Sequence, residues 1–401
     1  MAEIFPRLLV ATEFPPNASG GGAAIVRQML KEWPVQNLFW WSCLPESSRH
    51  FGQQVAAHRV AHIPQKLYPH RRWCGQKSWL LENFWTPWAA RHFRKTLEIL
   101  KPDVVWVIPH CWAIPPLARI LPSARIGFHV SIHDYADTNH AMASFGRVRS
   151  QRFAQSTDAL YVAATTCDAI CQPMVDDLRV RTHRTGSITR AGLEAADFEF
   201  LETKPENQTG EIRIAYAGTI AVEDTFKLFV TALKAVRHQF SRPVILDFFG
   251  DHSYHMREWF DPAWMREHGN LPPAQLAVEL KKCAWGFSPM SLTPDDPRYN
   301  QFSLPTKFVS YLAAGLPIIA LGHPESSVIR MALAHQVGVC LTTSNATVLG
   351  AQLSAALSEL NPGLKYRVGI RNCAATEFDA RRMRSKLYEN FRECSQHIIS
   401  G

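Results

Sequence analysis

Residues 300–321 have the sequence Asn-Gln-Phe-Ser-Leu-Pro-Thr-Lys-Phe-Val-Ser-Tyr-Leu-Ala-Ala-Gly-Leu-Pro-Ile-Ile-Ala-Leu. Pro305 suits the first position of a helix, and Gly315 followed by Pro317 suits its end. The apolar positions of this helix recur at 3.6-residue spacing and form one face: Phe308, Val309, Leu312 and Ala313. Residues 318–321 predict a buried parallel strand. The stretch therefore predicts a loop, a helix, a turn and a strand in sequence.

The start of this predicted helix is a candidate anion site. Backbone N–H groups at a helix N-terminus have no partner inside the helix, and Lys307 adds a positive charge in the first turn. A phosphate would be stabilised there. The alternative is an ordinary helix–strand unit with a surface lysine.

The same stretch resembles the donor-binding motif of GT-B glycosyltransferases, especially the family-4-like group (glycosyl transferases group 1). That motif runs Leu-Pro-Thr/Ser-Lys, an apolar pair, Glu-Tyr, small residues and Gly-x-Pro. The matching positions here are Leu304, Pro305, Thr306, Lys307, Tyr311, Gly315 and Pro317.

The resemblance implies that Lys307 contacts the donor diphosphate and takes part in catalysis. It also implies a donor-binding role for Ser303, Leu304, Pro305, Thr306 and Ser310. The family's two usual glutamate positions hold Phe302 and Ser310 in this sequence, so binding of the ribose by a carboxylate is not implied.

Length and composition predict two soluble α/β domains. The chain has 401 residues and is therefore too long for one ordinary core. Its composition, with 46% hydrophobic and 19% charged residues, is typical of a soluble globular protein. Strands that alternate with helices indicate doubly wound parallel sheets. The expected domains are a Rossmann-like acceptor-side domain (1–193), a linker (194–210) and a Rossmann-like donor domain (211–375). The resemblance implies that the C-terminal helix (376–401) packs back on the first domain and that the two lobes face a cleft.

Charge and cysteine usage limit the partners. The formal net charge of +8 favours an anionic partner, but the sequence has no nucleic-acid-binding motif, so nucleic acid is not expected. Nine scattered cysteines without a Cys-x-x-Cys pair predict reduced thiols and no metal site. We expect a cytoplasmic protein without a leader or a membrane span, and any membrane contact to be peripheral, at the inner face.

Two features in the first half are candidate site residues. Gly20, Gly21 and Gly22 lie between a predicted strand (7–13) and a predicted helix (23–33), so they form a second candidate anion site. This loop resembles the glycine-rich first loop of GT-B enzymes, which faces the donor phosphates or the acceptor. His133 ends a predicted strand (125–133) and Asp134 directly follows it, at the strand end where open α/β sheets bind ligands.

His133 also resembles the histidine that this group of enzymes places beside the transferred sugar, and we assign His133 and Asp134 catalytic roles on that basis. His129 shares a face with His133 but lies deeper in the sheet, where a hydrogen-bonded core histidine is the better interpretation.

Other patterns in the first half predict a helix at 78–100 with a break at Pro87, a strand at 159–164 and a helix at 166–178 that carries Cys167 and Cys171. Residues 68–88 hold four tryptophans among basic residues: Trp73, Trp79, Trp85 and Trp88. They fit either a core or a contact with a lipid-linked or sugar acceptor, and the core interpretation is favoured.

The second half begins with a predicted strand (212–217) followed by Gly218 and Thr219. This order resembles the start of the donor domain in GT-B enzymes and implies that both residues bind the donor. Many relatives continue with an arginine and a lysine for the phosphates. The turn here has no arginine, which leaves Lys227 as a candidate.

These observations predict transfer of a sugar from a UDP- or GDP-linked donor to a glycan, lipid-linked or other acceptor, without metal or cofactor. The resemblance implies retention of anomeric configuration, with the leaving phosphate deprotonating the acceptor. If the reaction inverts, Glu13, His133 or Asp134 is the expected base. The alternatives are an inactive GT-B-like binding or scaffold subunit and a nucleotide-sugar epimerase.

Overall fold

The computed structural model describes residues 5–16, 21–44, 55–68, 73–138, 145–198, 210–294 and 297–396. The chain divides into two compact units: unit 1 contains Met1–Ala191 and Ala380–Gly401, and unit 2 contains Gly192–Asp379. Most of the expected linker, residues 199–209, lies outside the described residues.

The strands of unit 1 are β1 (Leu8–Thr12), β2 (Leu38–Ser42), β3 (Ala57–Val60), β4 (Val104–Val107), β5 (Phe128–Ile132), β6 (Thr166–Ala169) and β7 (Ser187–Ile188). Within the described residues they form one seven-stranded parallel sheet in the order β3-β2-β1-β4-β5-β6-β7. The strand order reverses between β1 and β4, and such a switch point is where open α/β sheets bind ligands.

The helices of unit 1 before its last one are α1 (Gly21–Met29), α2 (Cys74–Leu80), α3 (Thr86–Leu100), α4 (Ile114–Ile120), α5 (Arg147–Ala163) and α6 (Gln172–Thr182). A π-helical segment, Leu81–Trp85, joins α2 to α3. The predicted break at Pro87 is therefore wrong: Pro87 lies in the first turn of α3, where its missing N–H is tolerated.

The predicted strand at 159–164 is also wrong, because these residues continue α5. Leu160 and Tyr161 are buried on one face of that helix, and a short apolar run does not distinguish a buried helix from a strand. The strand is β6 instead, so Cys167 lies on a strand and Cys171 at the N-terminus of α6, not on one helix.

The strands of unit 2 are β8 (Ile212–Ala217), β9 (Val244–Phe249), β10 (Met265–Glu267), β11 (Trp285–Pro289), β12 (Ile318–Leu321) and β13 (Gly338–Leu341). Within the described residues they form a six-stranded parallel sheet in the order β10-β9-β8-β11-β12-β13. Its switch point lies between β8 and β11.

The helices of unit 2 are α7 (Glu223–Val236), α8 (Pro273–Lys281), α9 (Pro297–Phe302), α10 (Thr306–Ala313), α11 (Ser327–His335), α12 (Ala346–Leu357), α13 (Pro362–Lys365) and α14 (Arg367–Glu377). The predicted helix in residues 300–321 is α10, and the predicted strand is β12. Gly315 has φ +63°, which ends the helix as expected.

The last helix, α15 (Ala380–Gln396), belongs to unit 1. One face of this helix is an apolar stripe that is buried: Ala380, Met383, Leu387, Phe391 and Cys394. The helix lies so close to the start of β5 that a Cβ on Gly127 would be 2.0 Å from the Cys394 carbonyl oxygen. The Tyr388 hydroxyl also donates to the Met29 carbonyl at 2.8 Å, which ties α15 to α1.

The described helices include none that combines the length and the apolar character needed to cross a membrane.

Candidate active site

Unit 1 gathers polar side chains where β1, β4 and β5 end side by side. Glu13 directly follows β1, His110 lies three residues after β4, and His133 directly follows β5. The two imidazole rings are 6.0 Å apart between centroids, at 73° to each other. Gly22 in α1 lies over them, and a Cβ there would be 3.4 Å from His133 Nδ1 and 3.6 Å from His110 Nε2.

Both histidines are neutral and carry unused hydrogen-bonding atoms. Burial lowers the pKa of His133 to about 4 and that of His110 to about 3, since the charged ring would lose its hydration. His133 Nδ1, His133 Nε2 and His110 Nε2 are buried without a hydrogen-bond partner among the described residues. Buried polar atoms are normally paired, so these three are available to a ligand.

Glu13 completes this polar cluster. Burial raises the pKa of its carboxyl to about 7, although hydrogen bonds from the Cys111 thiol and the Trp112 amide lower it in part. Glu13 Oε1 has no hydrogen-bond partner among the described residues. Cys111 has φ +39°, which is uncommon for a residue other than glycine and typical of strained positions at functional sites.

The other predicted residues of unit 1 have different surroundings. Gly21 begins α1 and Gly22 lies in its first turn, whereas Gly20 lies outside the described residues. Asp134 is exposed, unlike the buried His133 beside it. His129 is a core histidine as predicted: its Nε2 lies 2.9 Å from Asp168 Oδ2 and its Nδ1 2.8 Å from Thr166 Oγ1.

In unit 2, Tyr311 fixes helix α10 at the switch point of the sheet. Its hydroxyl accepts a hydrogen bond from the Ala217 amide at 2.9 Å and lies 3.1 Å from the Phe287 carbonyl oxygen, so it bridges β8 and β11. The ring fits because β11 has a glycine there: a Cβ on Gly286 would be 2.4 Å from the Tyr311 ring. The tyrosine of the motif thus sets the position of Lys307, one turn earlier in α10.

Lys307 lies against the end of β8. Its Nζ donates to the Tyr216 hydroxyl at 2.8 Å and the Thr219 carbonyl at 3.4 Å, and it sits 4.0 Å from the centre of the Tyr216 ring. Within the described residues no carboxylate lies within 4.0 Å of it. Burial lowers the pKa of Lys307 to about 7, so an added anion would favour the charged form.

The turn after β8 presents mainly backbone. Gly218 is exposed with φ +90°, a conformation that favours glycine, and the exposed Thr219 places its Oγ1 3.2 Å from His252 Nδ1. Gly250, with φ +154° at the end of β9, packs against it: a Cβ there would be 3.3 Å from the Gly218 Cα. A ligand can therefore approach the main chain of this turn closely.

The residues just before α10 are fixed by contacts with the rest of unit 2. The Ser303 carbonyl accepts a hydrogen bond from the Ser327 hydroxyl, and Leu304 packs against the core of unit 2. Pro305 is the N-cap and not the first helical residue, which is Thr306, because its ψ of 132° is extended. Thr306 is exposed, and among the described residues no side chain caps the N-terminus of α10.

The side chains at the two positions where the resembling family usually has glutamate present few hydrogen-bonding atoms to a ribose. The Ser310 hydroxyl donates to the Thr306 carbonyl within its own helix at 3.3 Å, and Phe302 is buried. Lys227 pairs with Glu223 at 3.2 Å, which disfavours a role for it in place of the missing arginine. Glu223 and Asp224 fill the first turn of α7 and disfavour an anion there.

The two clusters suit different ligand groups. Neutral imidazoles and a carboxyl that is half-protonated near pH 7 hydrogen-bond to hydroxyl groups, whereas an ammonium at an uncapped helix N-terminus binds phosphate. Within the described part of the chain, no three His, Cys, Asp or Glu side chains are arranged to hold a metal ion.

Sequence reasoning missed His110, Cys111 and Tyr216. The first two follow the apolar strand β4 within four residues, so the rule that located His133 would also have found them. Tyr216 lies inside a predicted strand and gave no signal, because its role depends on the contact with Lys307.

Comparison with known proteins identifies the fold. No protein-family model matches the sequence, and no curated protein matches it. Sucrose-phosphate synthase from Thermosynechococcus elongatus is similar in structure, with a TM-score of 0.66 and 13% identity over 96% of this chain and 98% of that chain.

Two further solved structures are similar. The UDP-forming α,α-trehalose-phosphate synthase from Burkholderia xenovorans, in complex with glucose-6-phosphate, has a TM-score of 0.64 and 11% identity over 96% of this chain and 100% of that chain. A variant of TarM from S. aureus, in complex with Fondaparinux, α-GlcNAc-glycerol and UDP, has a TM-score of 0.54 and 10% identity over 75% of this chain and 58% of that chain.

The chain therefore has the GT-B fold of these glycosyltransferases, which confirms the fold predicted from residues 300–321.

Proposed function

We propose that the protein is a glycosyltransferase that moves a sugar from a UDP- or GDP-linked donor to a hydroxyl group of a glycan, a lipid-linked sugar or another acceptor. The observation that carries this proposal is Lys307. It is a cation held by Tyr216 and the Thr219 carbonyl, without a carboxylate partner among the described residues, at the uncapped start of α10. This arrangement favours a diphosphate, because the phosphate supplies the missing negative charge.

In the proposed reaction, unit 2 binds the nucleoside diphosphate. Negative charge grows on the leaving phosphate as the glycosidic bond breaks, and Lys307 with the backbone amides of α10 stabilises it without rearrangement. Gly218 and Thr219 line the same strand end and let the phosphates approach the main chain.

Unit 1 binds the sugar hydroxyls through its neutral cluster. His133 and His110 offer ring nitrogens that have no protein partner among the described residues, and Gly22 leaves room beside them. We propose metal-independent transfer with retention, in which the leaving phosphate deprotonates the acceptor. Glu13 and Asp134 then position hydroxyl groups and do not serve as the base.

The similar solved structures guide the choice of ligands. One is named UDP-forming and contains glucose-6-phosphate, and another contains UDP and α-GlcNAc-glycerol. UDP-sugars and sugar phosphates are therefore the first donor and acceptor classes to test here.

A second candidate function is nucleotide-sugar binding without turnover. It is favoured by Phe302 and Ser310, because neither side chain supplies the carboxylate that these positions usually carry.

Release of nucleoside diphosphate from a panel of UDP- and GDP-sugars, with and without acceptor and in excess EDTA, tests both candidates. The proposal predicts acceptor-dependent release that EDTA does not reduce, and a product whose anomeric configuration matches the donor by NMR. Tight nucleotide binding without release across the panel would favour the binding subunit. Failure to bind any nucleotide would remove both functions.

A further inference from the structure

Four large aromatic side chains of unit 1 are exposed, against the core interpretation favoured by the sequence. Trp73, Trp79, Phe84 and Trp88 have exposed fractions of 69%, 54%, 64% and 44%, whereas Trp85 in the same segment is buried. We call these four residues the aromatic ridge. Grouped exposed aromatic residues of this size commonly mark an interaction surface.

The π-helical segment Leu81–Trp85 aligns the ridge. A π turn closes between residues five apart, so Trp79 and Phe84 fall on the same side, with their rings in edge contact at 5.8 Å between centroids. Trp88 follows Phe84 by four residues, one α-helical turn further along. The opposite face packs into the core through Leu81, Trp85, Ala89 and Phe93.

Two basic residues lie on the same face of α3 as Trp88. Arg91 and Lys95 lie three and seven residues after Trp88, are exposed, and have no carboxylate partner among the described residues. The next acid on α3, Glu98, lies ten residues after Trp88, about 15 Å along the helix.

The acid within the ridge segment is neutralised. Glu82 accepts from Arg149 Nε at 2.7 Å and lies 3.8 Å from Arg152, both on α5. The same end of α5 exposes Val148, with 64% of its surface accessible. The surface around the ridge is therefore apolar and cationic.

We propose that the aromatic ridge docks on the surface of an anionic lipid bilayer. Tryptophan and phenylalanine insert at the boundary between headgroups and acyl chains, and neighbouring arginine and lysine attract anionic headgroups. Complementary charge favours this occupant over a second copy of the chain, since two like-charged ridges would repel each other. The inference is independent of the proposed transfer reaction.

Flotation of the full chain with phosphatidylcholine vesicles and with equimolar phosphatidylcholine–phosphatidylglycerol vesicles tests this proposal. We expect binding to the anionic vesicles, weakened by salt, and little binding to the neutral ones. Brominated lipids in the anionic vesicles should quench part of the tryptophan emission. Failure of the wild-type protein to bind anionic vesicles would overturn the proposal.

Matched variants distinguish binding through the aromatic ridge from nonspecific binding to vesicles. Phe84→Ser with Trp88→Ser should lower the vesicle partition coefficient at least tenfold, whereas Val348→Ser with Leu360→Ser, at exposed sites in unit 2, should not change it. Arg91→Glu should lower it about fivefold or more, and Arg381→Glu, on α15, much less. Equal binding by ridge and control variants would contradict the proposal. So would a dimer in light scattering that only the ridge variant dissociates, because the ridge would then be an interface between copies.

Discussion

Unit 1 and unit 2 both place polar side chains at the carboxyl ends of strands beside a switch point, but the two clusters differ in charge. In unit 1 burial keeps His110 and His133 neutral and raises the pKa of Glu13 to about 7. In unit 2 the cluster contains a lysine, Lys307, whose Nζ lies over the ring of Tyr216 and whose pKa burial lowers to about 7.

Under the proposed function, the carboxyl ends of the strands bind a different kind of ligand in each unit. A buried group that is neutral can hydrogen-bond to a hydroxyl without the cost of desolvating a charge. A lysine with a lowered pKa is charged when an anion arrives and costs less to bury when none is bound. These differences support the proposal that neutral hydroxyl groups bind to unit 1 and the diphosphate to unit 2.

The largest expected effect comes from His133→Ala. It removes two hydrogen-bonding atoms from the neutral cluster and should lower transfer about 100-fold or more, with unchanged affinity for the nucleotide. Steady-state rates and calorimetry measure the two quantities. His238→Ala, at an exposed site in unit 2, is the control. Normal turnover in His133→Ala would break the assignment of the sugar to unit 1.

Tyr311→Phe should act on unit 2 through its fold. Without the hydroxyl, the Ala217 amide loses its buried acceptor, so the free energy of unfolding should fall by about 1–3 kcal/mol. Denaturant unfolding measures this change. Nucleotide affinity should fall as well, because α10 loses its anchor.

Tyr366→Phe is the matched control for Tyr311→Phe, because Tyr366 is half-buried and belongs to the same unit. We expect it to change the free energy of unfolding by less than about 0.5 kcal/mol. Equal stability of Tyr311→Phe and the wild type would show that the tyrosine does not position Lys307.

The smallest expected effect is the pH dependence of Glu13→Gln. The folded protein holds the Glu13 proton up to about pH 7, whereas the unfolded chain releases it near pH 4.5, so wild-type stability falls as pH rises through this window. Glutamine does not titrate. The variant should therefore gain stability relative to the wild type, on the order of 1 kcal/mol between pH 5 and 8 for a partly exposed residue. If the melting temperatures of the wild type and Glu13→Gln change by the same amount as the pH rises, the result would contradict the neutral character of unit 1.

Residues 300–321 predicted a helix and a strand through local rules, and their resemblance to the GT-B donor motif predicted the fold. A proline before the helix, a glycine after it and an apolar face specify α10 and β12 with few alternatives. The errors at 159–164 and at Pro87 have the opposite origin. A short apolar run fits either a strand or a buried helix. Pro87 lies in the first turn of α3, directly after the π-helical segment, where its missing N–H does not interrupt the helical turns.

The candidate site was predictable only in part. His133 and Lys307 follow from strand ends and helix starts, which the sequence indicates. Tyr216 and the exposure of Trp79 depend on contacts between segments that are distant in sequence, or on which face a helix turns outward, and neither can be deduced from local pattern.

The most direct test of the central claim is a calorimetric titration of the wild type and Lys307→Ala with UDP and GDP. Loss of a charge-assisted hydrogen bond to phosphate, about 1.5–3 kcal/mol, predicts binding weakened about 10- to 100-fold. The wild type should also take up a proton on binding at pH 8, since the diphosphate raises the pKa of Lys307 from about 7. Lys227→Ala, which removes a lysine already paired with Glu223, should bind as the wild type does. Equal affinities in the wild type and Lys307→Ala would contradict the account.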